Sequence, residues 1–316
     1  MFKKISKIAI TLFDKLLEIR HFLKLYLFNS PMNENHSFMY KFYFLKAKVL
    51  FKFREYNIKS LYINESNSYN KLGYTTFSNK EIKKNCSLIL EKLEQKQNIW
   101  DDNNSFKGSP TEEFRGNFFN IFANGVDEFI KDTFKSDYFI FYHILYKSNR
   151  FSKDKKPENS QLWHADGGPG ICMNLMVCHT PINKNNGAMK IIPWKKSRDL
   201  LTKLYFRYKQ LIRMEKNNNQ FLKLNRNSLR EIKCKILENV IESNSLNYFQ
   251  PNYSKPGTIF AFKNNCVHAG GYTDLGMERI VSVFHIYPST TQTTLEEKFS
   301  SSHLKYRGLP EIGKLF

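Results

Sequence analysis

The chain contains 316 residues, of which 41% are hydrophobic and 15% are aromatic. These proportions allow a sizeable core and exclude a disordered polar tail, a collagen-like chain and a small disulfide scaffold. The five cysteines are odd in number and form no CxxC pair. Structural disulfides are rare in reducing compartments, so we expect a reduced protein located in the cytoplasm.

Basic residues outnumber acidic ones by 49 to 29, which gives a formal net charge of +20. Such a surplus is typical of proteins that bind nucleic acid or an anionic membrane. However, lysine has A-rich codons and outnumbers arginine by 38 to 11. Because nucleic-acid readers favour the bidentate arginine side chain, we do not expect nucleic acid as the partner. A basic binding protein on a β scaffold stays open as an alternative to an enzyme.

Residues 1–60 form a basic segment with 12 basic and 4 acidic side chains. Apolar residues recur every three or four positions from Ile5 to Leu23, and an aromatic run extends from Phe38 to Phe53. Both patterns predict amphipathic helices. Such helices either pack on the core, which we favour, or lie on an anionic membrane surface. We expect no membrane span and no signal peptide here.

The next part of the chain predicts a strand followed by a capped helix. The strand covers Leu72–Phe77 and the helix covers Ile82–Leu93. Ser78 is the expected N-cap, with Glu81 three residues later as its capping-box partner. Beyond this helix, Trp100–Gly125 is expected to be irregular and rich in loops.

Further on, runs of aromatic and β-branched residues predict a β-rich core. The predicted strands are Asp137–Lys147, Ile171–His179, Ala188–Ile192, Gly257–Phe262 and Arg279–Tyr287. Helical periodicity predicts an insertion of two helices over about 199–245, with a polar break at 217–219. We therefore expect an α+β fold with a β-sandwich or jelly-roll core, forming one catalytic domain over 61–316.

The most informative local feature is the pair His164 and Asp166. On an extended backbone, residues two apart point to the same face, so both side chains can reach one point. His268 follows the predicted strand Gly257–Phe262 and can supply a third ligand. Two imidazoles and one carboxylate on one face of a metal are typical of non-haem Fe(II) oxygenases. Zinc hydrolases also use two His and one acid, so this alternative stays open.

Arg279 lies eleven residues after His268 and opens an apolar strand. With this arginine, the motifs resemble the phytanoyl-CoA hydroxylase family of Fe(II)- and 2-oxoglutarate-dependent dioxygenases. The run from Asn186 to Pro193 resembles the family's Asn-Gly-x-Leu-x-x-x-Pro stretch. The chain departs from the family after Pro193, where Trp194–Ser197 replaces the usual Gly-Ser-His. The resemblance covers roughly residues 70–290 and leaves out the basic amino-terminal segment.

The resemblance implies a double-stranded β-helix core, of the jelly-roll or cupin-like type, with flanking helices. It implies that His164, Asp166 and His268 bind Fe(II) and that Arg279 binds the distal carboxylate of 2-oxoglutarate. The expected reaction uses O2 to hydroxylate an aliphatic carbon and releases succinate and CO2. Since halogenating relatives have a small residue in place of Asp166, hydroxylation is favoured over halogenation.

Other site residues are less sharply indicated. Tyr146 and Met176 occupy positions where the family often places cosubstrate contacts, although both side chains are equally common in cores. We expect His143, His179 and His285 to be structural, because their spacing is not that of ligands. The loop Lys153–Ser160 and the insertion over 199–245 are candidate lids. We expect a small or activated metabolite as the substrate, and the basic charge suggests an anionic one.

Overall fold

The computed structural model describes residues 37–53, 61–102, 104–149, 159–166, 172–201 and 226–299, together with residues 16, 19 and 204. This part of the chain contains both strands and helices. The strands are Tyr74–Phe77 (β1), Asp137–Asn149 (β2), Met173–Cys178 (β3), Lys190–Ile191 (β4), Thr258–Lys263 (β5), His268–Ala269 (β6) and Glu278–Ser289 (β7). The helices are Ser37–Phe53 (α1), Ile63–Leu72 (α2), Lys80–Glu94 (α3), Pro110–Glu113 (α4), Arg115–Ile121 (α5), Asp127–Phe134 (α6), Arg226–Ser243 (α7) and Leu295–Lys298 (α8).

The larger of the two sheets has the strand order β1-β5-β3-β7-β2. All of its pairings are antiparallel. Strand β3 lies at its centre, and every residue of β3 is buried. A strand covered on both faces favours apolar side chains, and five of the six residues in its sequence Met-Asn-Leu-Met-Val-Cys are apolar.

The smaller sheet faces the larger one. It contains His268, on β6, and is bridged to His164. Strand β4 pairs with β6. Single backbone bridges extend this pair on both sides, from Ile191 to Phe249 and from His268 to His164. Apolar residues from both sheets, including Met176, Phe260 and Trp194, fill the space between them. The fold is thus α+β and β-rich, with the expected double-stranded β-helix core.

Helices cover the outer faces of both sheets. Helices α2 to α6 pack on the larger sheet around fully buried aromatic rings such as Phe118, Phe122 and Phe284. On the other side, α7 and the helical residues 194–201 enclose a separate apolar cluster with Val267, next to His268. Helix α1 lies against the larger sheet, where Tyr43 and Phe44 contact Tyr287.

The structure corrects two sequence predictions. The region Trp100–Gly125 is not mainly loop, because α4 and α5 lie within it. The N-cap of α3 is Asn79, whose side-chain oxygen accepts a hydrogen bond of 2.8 Å from the backbone N–H of Ile82. Ser78 instead donates its hydroxyl proton to the carbonyl oxygen of Gly257 at 2.5 Å. This serine therefore ties α3 to the sheet, where we expected it to cap the helix.

Several predictions fall partly or wholly outside the described residues. Of the helix predicted from Ile5 to Leu23, only Leu16 and Ile19 are described, and both are helical. The polar break at 217–219 and most of the loop Lys153–Ser160 are not among them. Helices are present on both sides of that break, at 194–201 and in α7. Within the described residues, no helix has both the length and the apolar character needed to cross a membrane.

Ser197 lies in the run Trp194–Ser197 that departs from the family pattern, and its side chain is completely buried. Its hydroxyl donates to the carbonyl oxygen of Ile192 at 2.8 Å and accepts from the backbone N–H of Val267 at 2.9 Å. The serine therefore joins the end of β4 to the residue that precedes His268. The departure from the family pattern at this position therefore has a structural role.

We predict that Ser197→Ala lowers the free energy of unfolding by about 1–3 kcal/mol, because it leaves the buried N–H of Val267 without an acceptor. Urea denaturation measures this change. Ser243→Ala, at an exposed serine near the end of α7, is the matched control and should change stability by less than about 0.5 kcal/mol. Equal effects of the two substitutions would contradict the bridging role of Ser197.

Candidate metal centre and its cavity

Two histidines that are distant in sequence are held side by side by their backbones. His164 donates its N–H to the carbonyl oxygen of His268 at 2.9 Å, and His268 donates to the carbonyl oxygen of His164 at 2.8 Å. This reciprocal pair places the two imidazole rings with their centroids 4.3 Å apart. Asp166 continues the same alignment, since its N–H donates to the carbonyl oxygen of Asn264 at 3.0 Å.

One donor atom from each of His164, Asp166 and His268 lies within 4.8 Å of the other two. The Nε2 atom of His164 is 3.5 Å from Oδ1 of Asp166, and Nε2 of His268 is 3.7 Å from Oδ2. The sequence predicted that these three residues would meet, and the structure brings them together at one end of the space between the sheets.

The tautomer of each histidine follows from its second nitrogen. Nδ1 of His164 lies 2.6 Å from the carbonyl oxygen of Leu162, and Nδ1 of His268 lies 2.8 Å from that of Cys266. Carbonyl oxygens only accept, so each Nδ1 carries the proton. Each Nε2 atom faces Asp166. Two imidazole Nε2 atoms and a carboxylate that converge on one point form an arrangement in which histidine binds metals.

The surroundings keep these groups in the protonation states that a metal requires. Burial, together with the neighbouring His164 and against an opposing increase from Asp166, lowers the pKa of His268 to about 4. The pKa of Asp166 is raised by burial, but the opposing effects of His268 and His164 are larger together and hold it below its ordinary value. At neutral pH, His268 is therefore neutral and Asp166 is ionised.

Asn174, on β3, supports the carboxylate. Its side-chain amide donates a hydrogen bond of 2.6 Å to Oδ2 of Asp166. The contact fixes the rotation of the carboxylate about its last bond and leaves Oδ1 nearest to His164. Partners of this kind orient metal ligands and affect metal affinity strongly.

A cavity of about 550 Å³ extends from the three donors into the space between the sheets. Its walls include all six residues that the sequence indicated for the site: His164, Asp166, His268, Arg279, Tyr146 and Met176. Tyr146 comes from β2 and Met176 from β3, so both face the cavity. Their proposed contacts with a cosubstrate stay predictions.

The side chain of Arg279 is buried, with a relative exposure of 3%. Its guanidinium donates to the carbonyl oxygen of Gly187 and, at 3.4 Å, to the hydroxyl of Ser148. Among the described residues its Nε–H has no hydrogen-bond partner. A buried, charged donor without a partner is costly, which is consistent with a ligand carboxylate as the missing acceptor.

Gly187 has a backbone reason to be glycine. Its φ of +79° is in the left-handed region, and a Cβ atom there would lie 2.9 Å from the carbonyl oxygen of Gly271. The Asn-Gly pair of the predicted family stretch therefore forms a tight turn, and the carbonyl of that turn orients Arg279.

The cavity lining also contains residues that were not predicted for the site, among them the polar residues Asn174, Ser148 and His285. We expected His285 to be structural; it lines the cavity opposite Asn174 in the sheet register, and its role stays a prediction. Strand alternation could have found it, because Arg279 and His285 are an even number of residues apart on one strand. His143 and His179 are buried away from the described cavity lining, where they bond to Thr111 and Ser282.

Comparisons with known proteins give structural neighbours only. No protein-family model matches the chain, and no curated protein matches it either. The chain is similar in structure to AviO1 from Streptomyces viridochromogenes Tue57, with 12% identity, coverage of 73% of this chain and 96% of that one, and a TM-score of 0.44. Membership of the phytanoyl-CoA hydroxylase family therefore stays a prediction.

Two further solved structures are similar to the chain. One is the non-haem alpha-ketoglutarate-dependent carbocyclase SnoK from nogalamycin biosynthesis, with 11% identity, coverage of 75% and 96%, and a TM-score of 0.43. The other is EctD from S. alaskensis with 2-oxoglutarate and 5-hydroxyectoine, with 15% identity, coverage of 82% and 88%, and a TM-score of 0.45.

We predict that Asn174→Leu weakens the binding of Mn(II) by about ten- to a hundredfold, because the Asp166 carboxylate loses the contact that orients it. Isothermal titration of the purified protein with Mn(II) measures this directly. Asn252→Ala, at an exposed asparagine, is the control and should bind Mn(II) like the wild type. If Asn174→Leu also binds Mn(II) like the wild type, the carboxylate does not depend on this contact.

Proposed function

We propose that this protein is an Fe(II)- and 2-oxoglutarate-dependent oxygenase that acts on a small molecule. The observation that carries the proposal is the meeting of two groups in one cavity. The converging donor atoms of His164, Asp166 and His268 line one part of the cavity wall. The buried guanidinium of Arg279 lines another part. A metal centre and a receptor for a carboxylate are the two things that such an enzyme requires.

His164, Asp166 and His268 would hold the metal through two imidazole nitrogens and one carboxylate oxygen. This set occupies one face of an octahedral ion and leaves positions for other ligands. Fe(II) bound there with 2-oxoglutarate would use O2 to oxidise a substrate C–H bond, with succinate and CO2 as the coproducts. The chain's own contribution is to keep Asp166 ionised and His268 neutral before the metal binds.

Arg279 would bind the distal carboxylate of 2-oxoglutarate. The arginine is already oriented by Gly187 and Ser148, so little conformational entropy is lost when the carboxylate arrives. Burial strengthens the charge-assisted hydrogen bonds because water does not compete for them. The bidentate geometry of a guanidinium suits a carboxylate better than an ammonium does.

We propose hydroxylation as the outcome. Halogenation would need a free position on the metal for a halide, and the carboxylate of Asp166 would fill that position. The substrate would enter the remaining part of the cavity. Among the described residues, the charged side chains that line the cavity also include Lys147 and Asp102. The Nζ atom of Lys147 lies 3.6 Å from Oε2 of Glu278. The positive charge of the chain is therefore not concentrated in the cavity, and the preference for an anionic substrate rests on Lys147 alone.

A zinc hydrolase needs the same three donors, but it has no use for a buried arginine that faces the same cavity with an unpaired Nε–H. Arg279 is therefore the residue that separates the two functions. Substitution of Arg279 should leave a zinc hydrolase active, whereas it should impair an enzyme that depends on 2-oxoglutarate.

We predict that the wild type converts 2-oxoglutarate to succinate in the presence of Fe(II) and O2, and that Asp166→Ala does not. For Arg279→Lys, loss of the bidentate contact should raise the KM for 2-oxoglutarate about ten- to a hundredfold. Its affinity for Mn(II) should stay at the wild-type value, since Arg279 is not among the three donors. Succinate release and Mn(II) titration are the two measurements.

The control for this experiment is Arg115→Lys, at an exposed arginine on α5, which should leave both quantities unchanged. Succinate formation at the wild-type rate by Asp166→Ala would show that the metal site lies elsewhere. An unchanged KM in Arg279→Lys would remove the cosubstrate assignment and favour the hydrolase.

A further inference from the structure

Helix α1 has apolar residues on two opposite sides. Its inner side packs on the core through Tyr43, Phe44, Ala47 and Phe51, all of which are buried. Other large apolar side chains of the same helix face solvent: Leu45 is 57% exposed, Val49 is 45% exposed and Phe53 is 81% exposed. A surface helix normally has one apolar side and one polar side, so the outer residues of α1 need an explanation.

The exposed apolar residues form one continuous stripe. Leu45, Val49 and Phe53 are spaced by four positions, and residues with this spacing stack on one side of an α-helix. With about 100° of rotation per residue, the stripe lies roughly opposite the buried side. It therefore points away from the core along the last two turns of α1.

Lysines border this stripe on both sides. Lys46, Lys48 and Lys52 are exposed, and the helix contains no acidic residue. We call Leu45, Val49 and Phe53 with Lys46, Lys48 and Lys52 the lysine-flanked stripe.

We infer that the lysine-flanked stripe docks on the surface of an anionic lipid bilayer. Apolar side chains of an interfacial helix insert at the boundary of the headgroups and acyl chains, while lysines extend to the anionic headgroups. An anionic bilayer would therefore contact both the apolar residues and the lysines of the stripe. A nucleic acid would pair with the lysines but would leave the apolar stripe in water, and a protein partner would need an apolar groove with an acidic rim.

The way α1 is attached to the core suits this role. The hydroxyl of Tyr43 accepts a hydrogen bond of 3.1 Å from the backbone N–H of Thr290, just beyond β7. Tyr43 and Phe44 also belong to one buried cluster with Tyr287. The helix is therefore held by its inner side, and its outer side can meet a membrane without any change in the fold.

The test is co-sedimentation of the full chain with vesicles of equal parts phosphatidylcholine and phosphatidylserine, compared with vesicles of phosphatidylcholine alone. We expect binding to the anionic vesicles and at least tenfold weaker binding to the neutral ones. The triple variant Leu45→Ser, Val49→Ser and Phe53→Ser should bind the anionic vesicles at least tenfold more weakly than the wild type. The variant Lys46→Gln, Lys48→Gln and Lys52→Gln should lose the preference for anionic lipid.

The matched control is Leu275→Ser with Met277→Ser, which removes two apolar residues of similar exposure, 51% and 48%. Acidic residues Asp274 and Glu278 adjoin this pair in sequence, so the control variant should bind like the wild type. Urea denaturation of every variant shows that the fold is retained. Since all variants keep residues 1–36, wild-type binding by the stripe variant would assign membrane contact to that segment and overturn the inference. Failure of the wild type to bind vesicles, whether or not it dimerises or binds RNA, would also overturn it.

Discussion

The reciprocal backbone hydrogen bonds between His164 and His268 are the constraint on which the candidate site depends. They add the segment containing His164 to the edge of the smaller sheet. In each histidine, Nδ1 also bonds to the carbonyl oxygen of the residue two positions earlier, Leu162 or Cys266. The same local geometry is therefore used twice, and it turns both Nε2 atoms towards Asp166. A metal bound at this candidate site would need no rearrangement of the backbone, which would lower the entropic cost of binding.

The chemistry of the site could be predicted from sequence because it follows from local rules. The alternation of side chains places His164 and Asp166 on one side of an extended segment. The role of Arg279 as a receptor for a carboxylate was implied by the resemblance to the phytanoyl-CoA hydroxylase family, and local rules alone do not give it. The apolar strands were identified from their composition, and their positions differ from the structure by a few residues at most, as for Arg279–Tyr287 against Glu278–Ser289.

The contacts that support the site depend on register, which composition does not reveal. Ser148 lies directly opposite Arg279 only because β2 and β7 shift register at an irregularity between Ile140 and Tyr142. Asn174 reaches Asp166 because β3 is central in the larger sheet. The missed helices were different, since a signal was present: Phe114, Phe118 and Phe122 recur every four residues and are all buried. This spacing is helical, although the surrounding polar residues indicated loops.

Charge and chemistry occupy different parts of the molecule. The cavity combines cationic and acidic groups, whereas lysines and exposed apolar residues are adjacent on α1. In our proposals, the lysines of α1 therefore serve membrane contact, and the cavity serves the reaction. The most direct test of the central claim is a crystal structure of the protein prepared with Mn(II) and 2-oxoglutarate. Our account predicts manganese bound by His164, Asp166 and His268, with the distal carboxylate within hydrogen-bonding distance of Arg279. Manganese bound elsewhere, or a carboxylate that does not contact Arg279, would contradict it.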